Sequence, residues 1–244
     1  MYPVSENFIQ AIQSNSRSYF WTGEITTKKG QKPLIWTAGL CVVCFGICLP
    51  LFLYYKKCLR LHLAAAYKTL GTLCAFLPAL IAAIRLEPAC WVCAAALLFY
   101  AFADYVLEFN FMLGAGFFMA GHICAIGFFL RLSPVSALHL VCLLLLGATS
   151  VYVLYLWRKP VGKRMPFFAV YVASLVMMCV CAIGCFPVHG IAGILIAAGG
   201  ALFYISDFFL FRRLLFPADR IVSWIIMITY YAALLLFGIS CLML

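Results

Sequence analysis

Long apolar runs separated by short polar joints make up most of the chain after residue 33. Each run has roughly 20 residues, which as a helix spans the roughly 30 Å hydrocarbon core of a bilayer. The pattern predicts eight transmembrane helices, over residues 34–55, 63–84, 89–107, 111–130, 135–157, 166–186, 190–211 and 222–243. Because a membrane β-barrel alternates apolar and polar residues in shorter segments, we expect an all-α polytopic bundle.

The polar N-terminus and the joints define the predicted domain organisation. Residues 1–33 are polar and are predicted to form a tail, whereas residues 34–244 are predicted to form a single eight-helix transmembrane domain. Joints such as 85–88 and 131–134 are so short that consecutive helices should be antiparallel neighbours. They leave no room for a domain outside the membrane.

Composition excludes most classes of soluble protein. Hydrophobic residues make up 67% of the chain and charged residues 10%, against roughly 45–50% and about 25% in soluble domains. These values indicate an integral, multi-pass membrane protein. The net charge of +10 does not indicate nucleic acid, because nearly all basic residues flank the apolar runs and face lipid headgroups. The thirteen cysteines lie mostly within the runs and are interpreted as small buried hydrophobes, not as a metal site or disulfide framework.

Few ionisable side chains interrupt the apolar runs, and four of them are the candidates for function: Lys68, Asp104, His122 and Asp207. Because a charge at the bilayer centre costs at least about 2.5–3.5 kcal/mol, such residues are the first candidates for function. Lys68, Asp104 and Asp207 fall within about 10 Å of one membrane boundary at the helical rise per residue, and His122 falls near the midplane. If their helices are neighbours, the first three side chains line one polar cavity that opens to that side.

Two shallow carboxyls are suited to acid–base chemistry on a lipid. A buried carboxyl can hold a proton near neutral pH, and a second carboxyl nearby separates the two titrations. One carboxyl then donates a proton while the other activates water, as in glycoside hydrolysis. The chain has no Gly-x-Ser-x-Gly elbow and no phosphate-binding loop, so neither of those motifs competes with this interpretation.

Several segments resemble the lysoplasmalogenase-like YhhN family. Residues 200–207, Gly-Ala-Leu-Phe-Tyr-Ile-Ser-Asp, look like its Gly-Ala-Leu and Ser-Asp stretch, and residues 229–231 look like its Thr-Tyr-Tyr motif. The resemblance runs from about residue 68 to residue 240 and includes the eight-span count. Other similarities are single residues at the family's positions: Lys68, Asp104, Phe111, Gly114, Phe118, His122 and Tyr171.

The resemblance implies a membrane hydrolase that cleaves the vinyl ether bond of lysoplasmalogens, which are lysophospholipids of the membrane. The products are a fatty aldehyde and a glycerophospho-ethanolamine or -choline. It implies that Asp104 and Asp207 are the catalytic carboxyls and that Lys68 holds the substrate phosphate. No metal or organic cofactor is expected. The substrate, carboxyls or water are expected to be oriented by four further side chains: His122, Tyr171, Tyr230 and Tyr231.

Two functions of other classes also fit the sequence. Intramembrane Asp, His and Lys residues can form the proton relay of a proton-coupled transporter, although the predicted carboxyls are shallower than a midplane transport site. A non-catalytic lipid-binding membrane protein would use the same residues for binding alone. The sequence does not fix which aspartate is the acid, the headgroup and chain preference, the orientation of the termini or the oligomeric state.

Overall fold

The structure is a computed structural model that describes residues 31–244, and this range contains no strand. The chain divides into two units, Met1–Trp36 and Thr37–Leu244, and the second holds all the predicted site residues. Eight helices of the described range are long and apolar enough to cross a membrane, which confirms the predicted all-α polytopic bundle. Most of the predicted tail, residues 1–30, lies outside the described residues.

We number these eight helices along the chain, and six of them are regular. Their ends lie within a few residues of the predicted ones, because short polar joints stop each apolar run where the membrane ends. Asn110 illustrates such a joint, since its side chain accepts a hydrogen bond from the Leu113 backbone and caps the following helix. The regular helices are α2 Leu61–Arg85, α3 Cys90–Leu107, α4 Phe111–Leu132, α5 Ala137–Leu156, α7 Gly190–Leu215 and α8 Arg220–Ser240.

The other two helices, α1 and α6, are irregular. α1 comprises Gln31–Val42, a π-helical turn Val43–Cys48 and Leu49–Lys57. The turn precedes Pro50, which has no N–H to continue the regular hydrogen-bond ladder. α6 contains three pieces in succession: Arg158–Val161, a 3-10 turn Gly162–Arg164 and Met165–Gly184.

α7 extends further than predicted, and Asp207 therefore lies further from the helix end. The apolar run was expected to end at residue 211, but the helix continues to Leu215. Arg212 and Arg213 lie in its last turn, where basic side chains interact favourably with the free carbonyl groups of a helix end. Asp207 therefore lies about two turns inside the helix end, instead of about one.

Six helices close into a ring, and two pack outside it. Each ring helix packs on the next in the order α2, α3, α4, α6, α7, α8 and back to α2. α1 packs on α2, and α5 packs on α6. In the most apolar 18-residue stretch of α5, only 11% is buried, as expected for a peripheral helix whose outer face meets lipid. Each ring helix carries at least one of the predicted site residues.

α2 and α8, which close the ring, approach each other closely at two glycines. A Cβ atom on Gly71 of α2 would lie 2.6 Å from the ring of Tyr231 on α8. A Cβ atom on Gly238 of α8 would collide with the backbone carbonyl oxygen of Ala75 on α2. Such close approach of two helix backbones needs residues without a side chain.

Replacing Gly238 should therefore loosen the ring. We expect Gly238→Ala to lower the free energy of unfolding by about 1–3 kcal/mol, because the added methyl group meets a backbone atom that cannot move alone. Thermal unfolding of the detergent-purified protein measures the effect. Gly116→Ala is the matched control, since a Cβ atom there meets nothing within 4 Å. Equal melting temperatures for the two variants would contradict the close approach of α2 and α8 at Gly238.

Candidate active site

A polar cavity of about 510 Å³ lies between the ends of α1, α2, α3, α7 and α8. Five basic and three acidic side chains line it, together with apolar ones. Four of the predicted site residues are on its wall: Lys68, Asp104, Asp207 and Tyr230. The structure therefore brings both predicted catalytic carboxyls to one cavity, although they come from helices far apart in the sequence.

Asp104 on α3 is fully buried and contacts three polar side chains. The hydroxyl groups of Thr72 and Tyr230 both donate to its Oδ2 atom, the Tyr230 bond measuring 2.8 Å. The ammonium nitrogen of Lys68 lies 3.3 Å from Oδ1. Lys68 and Thr72 are one turn apart on α2, so both side chains reach α3. Two hydroxyl donors and a cation are the partners that suit a carboxylate.

Glu108, at the end of α3, extends this network toward the surface. Lys56 Nζ lies 2.8 Å from Glu108 Oε2, and Lys68 Nζ lies 3.5 Å from Oε1. Burial raises the pKa of the Glu108 carboxyl, but the ammonium groups of Lys68 and Lys56 lower it further, so this pKa lies below its usual range. Glu108 is therefore charged at neutral pH and holds Lys68 between two carboxyl groups.

Asp207 on α7 has different surroundings. The Tyr171 hydroxyl on α6 donates to Asp207 Oδ2 at 2.5 Å, and no basic side chain of the described residues forms an ion pair with this carboxyl. Ser206 beside it donates to the backbone carbonyl of Ile226 at 3.0 Å and so fastens α7 to α8. Asp207 therefore has a fixed position with one hydroxyl donor and, among the described residues, no ion-pair partner.

A second, apolar pocket of about 50 Å³ lies between α4, α5, α6 and α7. Its wall consists mainly of Phe, Leu and Val side chains, including Phe168 and Phe211. Two of its few polar residues, Ser150 and Tyr204, form a hydrogen bond of 2.8 Å between their hydroxyl groups. Asp207 lines both this pocket and the polar cavity. Asp207 thus lies where a charged cavity meets an apolar pocket.

The other predicted residues lie behind the polar cavity. His122 is fully buried, with Nδ1 hydrogen-bonded to the Tyr100 hydroxyl at 2.9 Å and Nε2 without a hydrogen-bond partner among residues 31–244. Its ring packs edge-on against that of Tyr171, which lines the apolar pocket. Tyr231 donates its hydroxyl to the backbone carbonyl of Lys68 at 3.1 Å. Tyr171 contacts the Asp207 carboxyl directly, whereas the hydrogen bonds of His122 and Tyr231 go to other groups.

Thr72 and Glu108 belong to the network but were not among the predicted site residues. Their spacing carried the signal that could have identified them. Lys68 and Thr72 are four residues apart on one predicted helix, and Asp104 and Glu108 are four apart on the next. Residues at this spacing share a helix face, so complementary polar pairs on consecutive antiparallel helices indicate a polar contact.

The chemistry open to this site is proton transfer. Within residues 31–244 no three His, Cys, Asp or Glu side chains are grouped to hold a metal ion. One carboxyl has a lysine partner, and the other has a tyrosine partner and borders an apolar pocket. Such a pair can deliver a proton to a substrate and accept one from water, provided that the substrate has a polar and an apolar part.

Comparison with known proteins is consistent with this arrangement. The model of the YhhN family matches residues 63–241, which is most of the chain and includes all seven predicted site residues. Neither the curated proteins nor the solved structures contain a match. The family match agrees with the resemblance found in the sequence motifs, and the eight helices agree with a multi-pass membrane protein. The chain therefore belongs to the YhhN family.

Proposed function

We propose that the protein is a hydrolase that cleaves the vinyl ether bond of lysoplasmalogens, with Asp207 and Asp104 as its catalytic carboxyls. The observation that supports this best is the position of Asp207 on the walls of both the polar cavity and the apolar pocket. A lysolipid has the same division, since a polar headgroup and an apolar chain flank its ether bond. With the headgroup in the polar cavity and the chain directed to the apolar pocket, the ether bond meets Asp207.

Asp207 is proposed as the acid. Tyr171 occupies its Oδ2 atom, which leaves Oδ1 for the proton and for the substrate. The apolar pocket beside it and the lack of an ion-pair partner among the described residues suit a carboxyl that carries a proton. His122 packs against Tyr171 and is proposed as a positioning residue for that hydroxyl.

Asp104 is proposed as the ionised partner. Lys68 at 3.3 Å and the hydroxyl groups of Thr72 and Tyr230 stabilise its negative charge. A fixed negative charge near the reacting carbon stabilises a cationic intermediate in surroundings of low polarity. In this assignment Lys68 holds Asp104 in place and stabilises its charge.

The reaction can be written so that both carboxyls return to their starting state. Asp207 protonates the outer carbon of the C=C bond, and an oxocarbenium ion forms at the carbon bonded to oxygen. Water adds to that carbon and gives its proton to Asp104, which yields a hemiacetal. Asp104 then protonates the departing glycerol oxygen while Asp207 takes the hemiacetal proton. The products are a fatty aldehyde and a glycerophospho-alcohol, and one water is consumed.

Turnover by the purified protein tests the proposal. We expect detergent-solubilised protein to convert 1-O-alkenyl lysophosphatidylethanolamine or lysophosphatidylcholine into equal amounts of fatty aldehyde and glycerophospho-alcohol. The matched 1-O-alkyl lysolipid should be stable, because it has no C=C bond to protonate. Mass spectrometry of both products measures the reaction. Absence of aldehyde from the alkenyl lipid would refute the proposed hydrolase.

Experiments on the same preparation distinguish the proposed hydrolase from a transporter and from a non-catalytic lipid-binding protein. A transporter would accumulate labelled lipid or solute in proteoliposomes without forming product. A lipid-binding protein would retain the alkenyl lipid unchanged. Either result, without aldehyde, would replace the proposed function.

A further inference from the structure

The mouth of the polar cavity carries basic side chains that the proposed reaction does not use. We propose that Lys57, Arg213 and Arg220 form a binding site for the phosphate of a lysolipid headgroup. The identity of the lipid that carries this phosphate rests on the proposed function, whereas the phosphate site itself rests on the charges described below. Neither the sequence motifs nor the family match assigns these three residues.

The charges on the cavity wall are unevenly distributed. Of the five basic residues, Lys56 and Lys68 have Glu108 and Asp104 as ion-pair partners at 2.8 and 3.3 Å. The other three form no ion pair within the described part of the chain, although all three line the cavity: Lys57, Arg213 and Arg220. The mouth therefore has an excess of positive charge that an anion can neutralise.

Arg213 is oriented by a neighbouring helix. Its Nη1 atom donates a hydrogen bond of 2.6 Å to the Ser223 hydroxyl on α8. Ser223 and Arg220 both lie in the first turn of α8 and line the same cavity, as does the next residue, Trp224. Two arginines from adjacent helices thus line the same cavity. Guanidinium groups suit phosphate because they can donate two parallel hydrogen bonds to its oxygens.

The spacing along α7 fits one lysolipid molecule. Six residues separate Asp207 from Arg213, which corresponds to a rise of about 9 Å. In a lysolipid the glycerol backbone separates the phosphate from the ether bond by a length of the same order. A lipid with its ether bond at Asp207 can therefore place its phosphate at Arg213 and Arg220.

Lys68, the residue to which the sequence assigned the phosphate, is less suited to this task. Its ammonium group lies between Asp104 and Glu108, at 3.3 and 3.5 Å, and the residue is only 5% exposed. A phosphate there would face two carboxyl groups. The exposed basic residues at the mouth present no such repulsion.

Basic residues at helix ends also attract headgroups in general, so the test needs a matched control. Arg212 provides it, because it precedes Arg213 on α7 and is also exposed but does not line the cavity. Gln replaces Arg in each variant and keeps a polar side chain. Arg213→Gln, Arg220→Gln and their combination remove the two guanidinium groups of the proposed site and leave Lys57, and Arg212→Gln removes a neighbouring charge on the same side.

The measurement is calorimetric binding to full-length protein in an uncharged, phosphate-free detergent. The probe is 1-O-hexadecyl lysophosphatidylcholine, whose saturated ether cannot undergo the proposed hydrolysis, and its partner is 1-O-hexadecylglycerol, which lacks phosphate. We expect the Arg213→Gln, Arg220→Gln double variant to bind the phospholipid at least about tenfold more weakly. Arg212→Gln should bind it as the wild type does, and all proteins should bind hexadecylglycerol alike.

Several results would overturn the site. They are an unchanged dissociation constant in the double variant, an equal loss in Arg212→Gln, or an equal loss for hexadecylglycerol. Competition by inorganic phosphate at the affinity of the lipid would show a site for a free anion and overturn the headgroup assignment. Because the probe is not cleaved, tight binding with the expected variant pattern supports the site even if the alkenyl lipid is never hydrolysed.

Discussion

Asp207→Asn should lower the rate of aldehyde release from the alkenyl lysolipid by roughly 10²–10⁴-fold, the range expected when a general acid is lost. The amide keeps the size of the side chain but cannot deliver the proton. The Tyr171 hydroxyl can still donate to the amide oxygen, so the fold around α6 and α7 should persist. Steady-state turnover and a melting curve on the same preparation separate lost chemistry from lost folding.

Asp219→Asn is the matched control for this variant. Asp219 is an exposed carboxyl that precedes α8 on the same side of the bundle and does not line the cavity. Its replacement should leave turnover unchanged.

Asp104→Asn should also lose most activity, because the amide neither stabilises the oxocarbenium ion nor accepts a proton from water. Wild-type turnover in both Asp207→Asn and Asp104→Asn would exclude the proposed chemistry.

Lys68→Met should lower stability more than any exposed substitution. The change removes the cation between Asp104 and Glu108, so these two buried carboxyl groups lose the positive charge of Lys68. Breaking a buried ion pair on one side costs about 3–5 kcal/mol. For a chain of this size we expect the melting temperature to fall on the order of 10 °C.

The second replacement Asp104→Asn should recover part of this loss, because it removes the charge that Lys68 neutralised. Lys163→Met serves as control, since Lys163 is exposed and forms no ion pair among the described residues. Differential scanning of the single and double variants measures the coupling. If Lys68→Met and Lys163→Met have the same melting temperature, the Lys68 network does not stabilise the fold.

The sequence contained enough information to predict the helices but not their order around the ring. In lipid, a continuous apolar run of membrane-spanning length satisfies its backbone hydrogen bonds as a helix, so all eight helices could be predicted. The closure of the ring depends on contacts distant in sequence, such as Gly238 against Ala75 and Ser206 against the Ile226 carbonyl. Hydropathy does not encode which of these faces meet.

The candidate site was predictable to the extent that charge in a membrane is rare. Lys68, Asp104 and Asp207 stand out because each interrupts an apolar run, and they do line one cavity. Thr72 was missed because a threonine in an apolar helix is common and neutral. The proposed role of Arg213 could not be predicted, because a basic residue at a helix end has a sufficient explanation in topology alone. Two features of the structure distinguish Arg213 from Arg212: Arg213 lines the cavity, and it donates a hydrogen bond to the Ser223 hydroxyl.

Deuterium in the product aldehyde tests proton transfer to carbon. We expect wild-type protein in D₂O to convert the alkenyl lysolipid into aldehyde with one deuterium on the carbon next to the carbonyl, because the Asp207 proton exchanges with solvent before it is delivered. Aldehyde incubated with Asp207→Asn protein in D₂O corrects for direct exchange at that carbon. Mass spectrometry of newly formed aldehyde that lacks this deuterium, or of a reaction without aldehyde, would contradict carboxyl-catalysed cleavage of a vinyl ether.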